Sequence, residues 1–241
     1  MISVRTKLYF SMENLILQQF FVFTFSERHD KMCSYLYFSF LRGQTMDSNF
    51  FALISRMRYI ARWGLMRNAL PENIQEHSHM VAVLAHALGV IRRDIFHQPC
   101  DVNALATAAL YHDASEILTG DLPTPIKYHN AEIMSAYHAV EDLAVQKLLG
   151  MLPPELRATY ADVLSEDKDG DIYPLVKAAD KLSAYIKCIE ERKAGNNEFL
   201  SAEAQTRAAL EASPLPEVQY FLEHFIPAFE RDLDELGAIG Q

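Results

Sequence analysis

Four residues of types that bind metals stand where helices would otherwise present apolar side chains. They are His77, the adjacent pair His112-Asp113, and Asp180. A buried imidazole or carboxylate is costly unless a partner compensates it. Because these residues fall on three separate predicted helices, one shared divalent cation is their simplest common partner. The sequence therefore predicts a metal site between helices.

Two imidazoles and two carboxylates form a mixed nitrogen and oxygen donor set. Such a set favours manganese, iron, cobalt, nickel or zinc over calcium or magnesium. Four protein ligands on an octahedral ion leave positions for water and substrate, and the ion lowers the pKa of bound water. The sequence has neither a serine or cysteine nucleophile motif nor a glycine-rich phosphate loop. Water is therefore the expected nucleophile.

Each candidate ligand has a purely structural alternative. For Asp180 the alternative is a salt bridge to Lys177 or Lys181. The alternative is weakest for His112-Asp113, where two potential ligands are adjacent on an otherwise apolar face. A single histidine on an apolar helix face is more often a hydrogen-bonded core residue, and that reading suffices for His79, His86, His97 and His224.

Helical periodicity from Met46 onward positions these residues. Gly120 ends the third predicted helix, and the segment after it is expected to be non-helical because Pro123 and Pro125 lack a donor and fix φ. No alternating strand pattern follows Met46, so the predicted fold class is all-α. The spacing predicts helices over residues 49–60 (capped by Asn49), 74–95, 103–119, 131–149, 173–194 and 217–236, with a short helix opened by Pro153-Pro154.

Bulk properties narrow the function class. The 241 residues are enough for one domain with a substantial core. A net charge of −10 argues against binding to a nucleic-acid polymer, which needs a basic face. The three cysteines are odd in number and widely spaced, which suits a reducing cytosol. No apolar run reaches the roughly 18 residues that a membrane span requires.

The first 45 residues differ in kind from the rest. They contain no alanine and no proline but ten aromatic residues, whereas the sequence beyond Met46 is rich in alanine. The boundaries predicted are therefore an N-terminal extension at 1–45 and one domain at 46–241. The extension is expected to reflect a start site assigned too far upstream; an arm that binds a partner is the alternative.

The sequence around the four residues resembles the HD-domain metal-dependent phosphohydrolases, whose ligands follow the order H…HD…D. An HD pair alone is common by chance, but longer stretches also match. They are 62–68 (RWGLMRN), 76–78 (EHS), 112–127 (HDASEILTGDLPTPIK), 179–180 (AD) and 194–199 (AGNNEF). Over residues 46–236 the chain is similar to the bacterial 5′-deoxynucleotidases of this family. The resemblance implies a single HD-domain helical bundle that removes phosphate from deoxyribonucleoside 5′-monophosphates in the cytoplasm.

The resemblance also implies roles for single residues. Arg62 is expected to bind the phosphate, and Trp63 to pack against the sugar and exclude a ribose 2′-hydroxyl. Asp121, Leu122, Pro123 and Thr124 are expected to line the nucleotide site. One divalent transition metal per subunit, cobalt, manganese or a similar ion, would be held by His77, His112, Asp113 and Asp180. Of these four, His77, Asp113 and Asp180 would also border the substrate.

Glu116, one helical turn after His112, is interpreted as the residue that orients or deprotonates the attacking water. Asp121 is the alternative for that role, and a charge pair with an ammonium or imidazolium group is the structural alternative for Glu116. The resemblance also implies a homodimer. The aromatic stripe from Tyr220 to Phe229 fits either a core or a dimer contact.

Two other functions stay open at this point. Another reaction of HD enzymes, the hydrolysis of deoxynucleoside triphosphates or cyclic nucleotides, is the first alternative, but a triphosphate needs more cationic side chains than the matched stretches supply. A non-catalytic HD module for sensing or protein interaction is less favoured, because none of the four predicted ligands is replaced.

We expect residues 1–45 to be dispensable. A chain that starts at Met46 should fold and hydrolyse dAMP with the rate constant of the full chain, because the predicted site lies entirely beyond that residue. Circular dichroism and a phosphate-release assay on both proteins test this. A folded but inactive shorter chain would show that the extension contributes to the site.

Overall fold

The fold consists of helical segments joined by short turns. The computed structural model describes residues 48–127, 129–165 and 170–237, and the chain from Ser48 onward forms one unit. The predicted extension at residues 1–45 lies outside the described residues. In the described part no β-strand occurs, only an isolated bridge between Ala61 and Asn73. The all-α prediction is confirmed.

The α-helices of the described residues are α1 (Phe50–Ile54), α2 (Ile74–Val90), α3 (Val102–Tyr111), α4 (Glu116–Thr119), α5 (Thr124–Lys127), α6 (Ala131–Gly150), α7 (Pro154–Leu164), α8 (Tyr173–Lys193), α9 (Leu200–Glu211), α10 (Pro216–His224) and α11 (Ile226–Phe229). Short 3₁₀ segments lie at Ser55–Tyr59 and Asn197–Phe199, and a π-helical turn at Ile91–Ile95 extends α2. None of these helices has the length and apolarity of a membrane span.

The main core is built where α2, α3 and α8 meet. Leu84 and Leu88 of α2, Leu105 of α3 and Leu182 of α8 belong to one cluster of buried side chains. At Gly89 of α2, a Cβ would lie 2.9 Å from Leu105 Cδ2, so glycine permits the close approach of α3. Burial of each leucine contributes about 1.5–3 kcal/mol. This packing fixes the relative positions of the three helices that carry or adjoin the predicted metal ligands.

The start of α2 is set by a reciprocal pair of hydrogen bonds. The Asn73 side chain accepts from the backbone N–H groups of Gln75 and Glu76, and the Glu76 carboxylate accepts from the Asn73 N–H. This capping arrangement satisfies donors that lack intrahelical partners. His77 therefore lies in the first turn of a well-defined helix.

The turn after α3 is anchored by a second, smaller core. Ala114, directly after the His112-Asp113 pair, is buried in a cluster with Phe50, Leu148 and Leu164. A turn that carries polar ligands is thus held in place by an apolar residue beside them.

Two segments around this turn differ from the sequence prediction. The single helix predicted for 103–119 is interrupted at residues 112–115, and Gly120 ends α4 with a φ of 75°, as its role as a helix terminator requires. The prediction that residues 121–125 are non-helical is confirmed for 121–123 and wrong for Thr124 and Pro125. Thr124 begins the one-turn helix α5, which tolerates Pro125 because the first turn of a helix needs no N–H donor.

The termini of the domain also differ from prediction. Asn49 makes no side-chain cap, and α1 ends at Ile54 before continuing as a 3₁₀ segment. The helix predicted for 217–236 breaks at Phe225, because Pro227 has no N–H to continue the ladder. Helix α9 was not predicted.

The aromatic stripe of the C-terminal helices is mainly a core feature. Phe221 is buried, and Tyr220 and Phe229 pack against the main core, whereas Phe225 is 45% exposed. The stripe therefore leaves little apolar surface for a dimer contact.

Candidate metal centre and active site

His77 projects from the first turn of α2 into the domain and is completely buried. Its Nε2 lies 3.0 Å from Asp180 Oδ1 and 3.5 Å from Asp113 Oδ2. The Nδ1 atom lies 3.2 Å from the hydroxyl of Ser183, one turn after Asp180 on α8. The imidazole therefore joins α2 to α8 at the level of two carboxylates.

His112 contributes the second imidazole from the turn after α3. Its Nδ1 donates to the carbonyl of Ala109 at 2.7 Å, which leaves Nε2 with a lone pair. That Nε2 lies 3.2 Å from Asp113 Oδ2. A backbone carbonyl that fixes the tautomer in this way is the usual support of a metal-binding histidine.

The two Nε2 atoms mark the centre as a candidate cation site. Both are buried, and neither has a hydrogen-bond partner among the described residues. Ligand atoms of His77, His112 and Asp180 all lie within 4.8 Å of one another. Metal bonds of about 2.0–2.2 Å place ligand atoms about 3–4 Å apart, so this spacing suits one ion. His77, His112 and Asp180 thus lie close enough to share one ion, and Asp113 lies beside both imidazoles.

Asp113 lies between the two imidazoles and the guanidinium of Arg62. Its Oδ2 is close to both imidazoles and accepts from Arg62 Nη1 at 3.3 Å. Burial raises the pKa of Asp113, but His112, His77 and Arg62 lower it more, so the net shift is downward. The carboxylate is therefore charged at neutral pH and available as a ligand.

Arg62 places a positive charge beside this carboxylate, with only 13% of its side chain exposed. Its Nε donates to Glu72 Oε2 at 3.2 Å. Burial lowers the pKa of Arg62, but Asp113 and Asp180 raise it more. A fixed guanidinium next to a metal site is well placed to bind a phosphate with two parallel hydrogen bonds.

Trp63 adopts an unusual backbone conformation, with a φ of 58°. For a large side chain this region costs on the order of 1–3 kcal/mol and persists only where the surroundings impose it. The indole Nε1 donates to Glu72 Oε2 at 2.9 Å, and the ring lies against Phe199 with centroids 5.3 Å apart. Glu72 therefore orients Arg62 and Trp63 together, a role that the sequence did not reveal.

Two further carboxyl groups face the centre. Glu116 is buried, and its Oε2 has no hydrogen-bond partner among the described residues. Burial, together with Asp113 and Asp121, raises the pKa of Glu116 to about 10. Burial also raises the pKa of Asp121, although Arg62 opposes the shift. Carboxyl groups outnumber Arg62 here, so a cation would lower the repulsion among them.

A cavity of about 780 Å³ lies beside the centre and reaches it at Asp121 and Asp180. Its lining includes the predicted residues Arg62, Trp63, Asp121, Pro123 and Asp180. Leu122 is half-buried in the same segment, and the side chain of Thr124 lies outside the described part of the structure. Residues of α9 that were not predicted form another wall: Ser201, Ala202, Gln205, Thr206 and Ala209. They carry no charge, and only the fold brings them to the site.

Comparison with known proteins agrees with this geometry. The sequence model of the 5′-deoxynucleotidase YfbR-like family matches residues 49–229. The chain belongs to that family. The 5′-deoxynucleotidases YfbR of Shigella boydii and Escherichia coli are each 50% identical to it over 192 residues, which are 79% of this chain and 96% of theirs. The structure of an HD-domain phosphohydrolase from Listeria innocua superposes with a TM-score of 0.67 at 26% identity, over 75% of this chain and 88% of that one.

We predict that Asp113→Ala lowers metal affinity by at least about 100-fold, because even the outer hydrogen-bond partners of metal ligands contribute about 10–100-fold. Circular dichroism should show that the fold is retained. Metal content after dialysis and calorimetric titration measure the effect. Asp162→Ala, on the exposed face of α7, is the matched control. Unchanged metal affinity in Asp113→Ala would contradict the assignment of this ligand.

Proposed function

We propose that the protein is a metal-dependent 5′-deoxynucleotidase, which hydrolyses deoxyribonucleoside 5′-monophosphates to deoxyribonucleosides and phosphate. The observation that carries this proposal is the pair of buried imidazole Nε2 atoms facing carboxylates beside Arg62. The arrangement joins a place for a cation to a place for one phosphate. The 50% identical relatives bear the name of this activity, and the protein is accordingly a phosphoric monoester hydrolase.

One divalent transition ion per subunit would be held by His77, His112, Asp113 and Asp180. The mixed donor set supports cobalt, manganese or a similar ion, and such ions compete by availability as well as by fit. When bound, the ion supplies a water of lowered pKa and polarises a phosphoryl oxygen. The protein supplies the neutral imidazoles and charged carboxylates that this binding requires.

Arg62 binds the phosphate of the substrate. Its guanidinium already lies 3.3 Å from Asp113 Oδ2, so a phosphate in contact with it is within reach of the ligand set. The buried position removes competing water and strengthens the charge interaction. His77, Asp113 and Asp180 would border the same phosphate from the opposite side.

Trp63 meets the sugar of the substrate. The indole lines the cavity next to Arg62, and its Nε1 is engaged by Glu72, so the ring has one preferred position. A 2′-hydroxyl would have to displace the ring or lie unpaired against it. Asp121, Leu122, Pro123 and Thr124 would bound the nucleotide on the other side, as the family resemblance implies. The uncharged wall of α9 suits low selectivity among bases.

Proton transfer is assigned to Glu116 and Asp121. Because burial and nearby carboxylates raise the pKa of Glu116 to about 10, this side chain holds a proton at neutral pH in the absence of a cation. A bound cation lowers that pKa toward the working pH, where a group best exchanges protons. Glu116 would then orient or deprotonate the attacking water, and Asp121 is the second candidate.

Other phosphohydrolase activities find less support. A triphosphate substrate calls for several cations, whereas the lining of the described cavity supplies Arg62 and Lys181. A non-catalytic module would not need the intact set of ligands. The single strong phosphate site favours a monophosphate.

We also propose a homodimer in the cytoplasm. The exposed apolar side chains Val140 and Leu143 of α6 support an association between subunits, and the spacing of the cysteines suits a reducing compartment. Deoxyribonucleoside 5′-monophosphates are the expected partners, rather than nucleic-acid polymers or membranes.

Glu116→Gln should lower kcat for dAMP by about 10²–10⁴-fold, because the amide keeps the shape but cannot transfer a proton. Metal content should be unchanged. Glu155→Gln, an exposed carboxylate of α7, serves as control. Turnover of Glu116→Gln within a factor of about two of the wild type would remove Glu116 from proton transfer.

The wild-type enzyme should hydrolyse dAMP about ten- to hundred-fold more efficiently than AMP, because overpacking or an unpaired hydroxyl at Trp63 penalises ribose. Trp63→Ala should narrow this ratio while lowering both rates. Values of kcat/KM for the two substrates measure the effect, with Tyr59→Ala as an exposed aromatic control. Equal efficiencies in the wild type would contradict a role of Trp63 in sugar selection.

A further inference from the structure

The 62–70 loop, which carries Arg62 and Trp63, lacks apolar anchors of its own. Leu65 is 72% exposed and Leu70 is 46% exposed. Arg67 is also exposed on the surface. Because Trp63 has a φ of 58°, contacts from outside the loop must impose its conformation.

Polar residues at the end of α8 supply one such contact. Glu191 is fully buried, and its carboxylate accepts from the backbone N–H groups of Ala69 at 2.8 Å and Leu70 at 3.0 Å. It also accepts from Lys187 Nζ at 2.5 Å and Asn196 Nδ2 at 2.8 Å. One charged and fully buried carboxylate therefore accepts hydrogen bonds from four donors.

Lys187, Glu191 and Asn196 form what we call the Glu191 cluster. Lys187 and Asn196 also bind the loop directly. Lys187 Nζ donates to the carbonyl of Leu70, and Asn196 Nδ2 donates to the carbonyl of Arg67 at 2.6 Å. The cluster therefore engages both donors and acceptors of the loop backbone. A buried network of this kind specifies one conformation when all of its members are paired.

Phe199 supplies the second contact, directly against Trp63. Its side chain is fully buried, and its ring lies 5.3 Å from the indole, with Lys187 Nζ 5.7 Å from the same ring. Phe199 ends the 194–199 segment, whose sequence matched the family but to which no role had been given. The segment joins the Glu191 cluster to the surface on which Trp63 rests.

The same helix carries the metal ligand Asp180. Asp180 and Glu191 are 11 positions apart in α8, which corresponds to about 16 Å along the helix axis. The core cluster around Leu182 and Ile189 holds the intervening turns. One rigid helix therefore sets both the cation position and the anchor of the sugar-facing loop.

We propose that Glu191 and Phe199 are positioning residues for sugar selection: Glu191 fixes the end of the 62–70 loop, and Phe199 supports the indole of Trp63 from behind. Neither residue touches the substrate. The proposal rests on the role of Trp63 in the proposed function, and it adds that the preference for deoxyribose is set by a buried cluster outside the cavity.

The test uses the full-length protein and exploits Trp63 as the single tryptophan of the chain. Acrylamide quenching of its fluorescence reports the freedom of the ring without reference to activity. We compare the wild type with Glu191→Gln, Glu191→Ala and Phe199→Leu, and use Glu190→Gln, an exposed neighbour on α8, as the matched control. Asn196→Ala removes a smaller part of the cluster and remains informative if Glu191→Ala does not fold.

Quenching should increase about twofold or more in Glu191→Ala and Phe199→Leu, because release of the loop exposes the indole. The dAMP to AMP ratio of kcat/KM should fall about tenfold, mainly through KM for dAMP, while metal content stays at the wild-type value. The quenching and the dAMP to AMP ratio of Glu191→Gln should lie between those of these variants and the wild type, since its amide oxygen can still accept hydrogen bonds from the loop. The Glu190→Gln control should match the wild type in every measurement.

Wild-type quenching in Glu191→Ala and Phe199→Leu would overturn the positioning role. Increased quenching with an unchanged dAMP to AMP ratio would overturn the link to sugar selection. If the wild type itself did not prefer dAMP, the role of Trp63 in the proposed function would fail, whereas quenching would still decide whether the cluster holds the ring.

Discussion

The structure depends on one electrostatic constraint: the buried Nε2 atoms of His77 and His112 face two carboxylates at 3.0–3.5 Å, and neither nitrogen has an aligned hydrogen-bond partner among the described residues. Electron-rich atoms at about 3 Å repel one another unless positive charge lies between them. A proton satisfies one pair of such atoms, whereas a divalent cation satisfies all of them at once. Apolar packing therefore holds together the helices that meet here, and a bound cation would balance the negative charge between them.

Apolar packing around the centre offsets the free-energy cost of this constraint. The ligands come from the first turn of α2, the turn after α3, and the second turn of α8, and each is adjacent to buried apolar residues. Ala114 secures the turn beside Asp113, and Leu182 lies two residues after Asp180. Since these contacts contribute stability independently of the ligands, the polar centre can remain partly unsatisfied until a cation binds. The same packing gives the centre the fixed geometry that catalysis requires.

The candidate ligands could be selected from the sequence, because their signals are local. The adjacent pair His112-Asp113 and the helical spacing around Asp180 are visible without any tertiary contact. Glu72 and Glu191 were missed, because surface carboxylates look the same in sequence. The residues that Glu72 orients lie 9 to 10 positions away, and the loop residues that Glu191 binds lie more than 100 positions away. Helix α9 has the small and polar residues of a solvent-facing helix, although it forms a wall of the cavity. The break before Pro227 was readable from the sequence, and a single continuous helix was the wrong interpretation.

Crystals of the protein grown with cobalt or manganese test the central claim most directly, through anomalous scattering at the absorption edge of the metal. The account predicts one strong anomalous peak per chain, about 2.0–2.2 Å from the Nε2 atoms of His77 and His112, with Asp113 and Asp180 completing the coordination. No peak between these residues at saturating metal, or a peak that shares none of them, would contradict it.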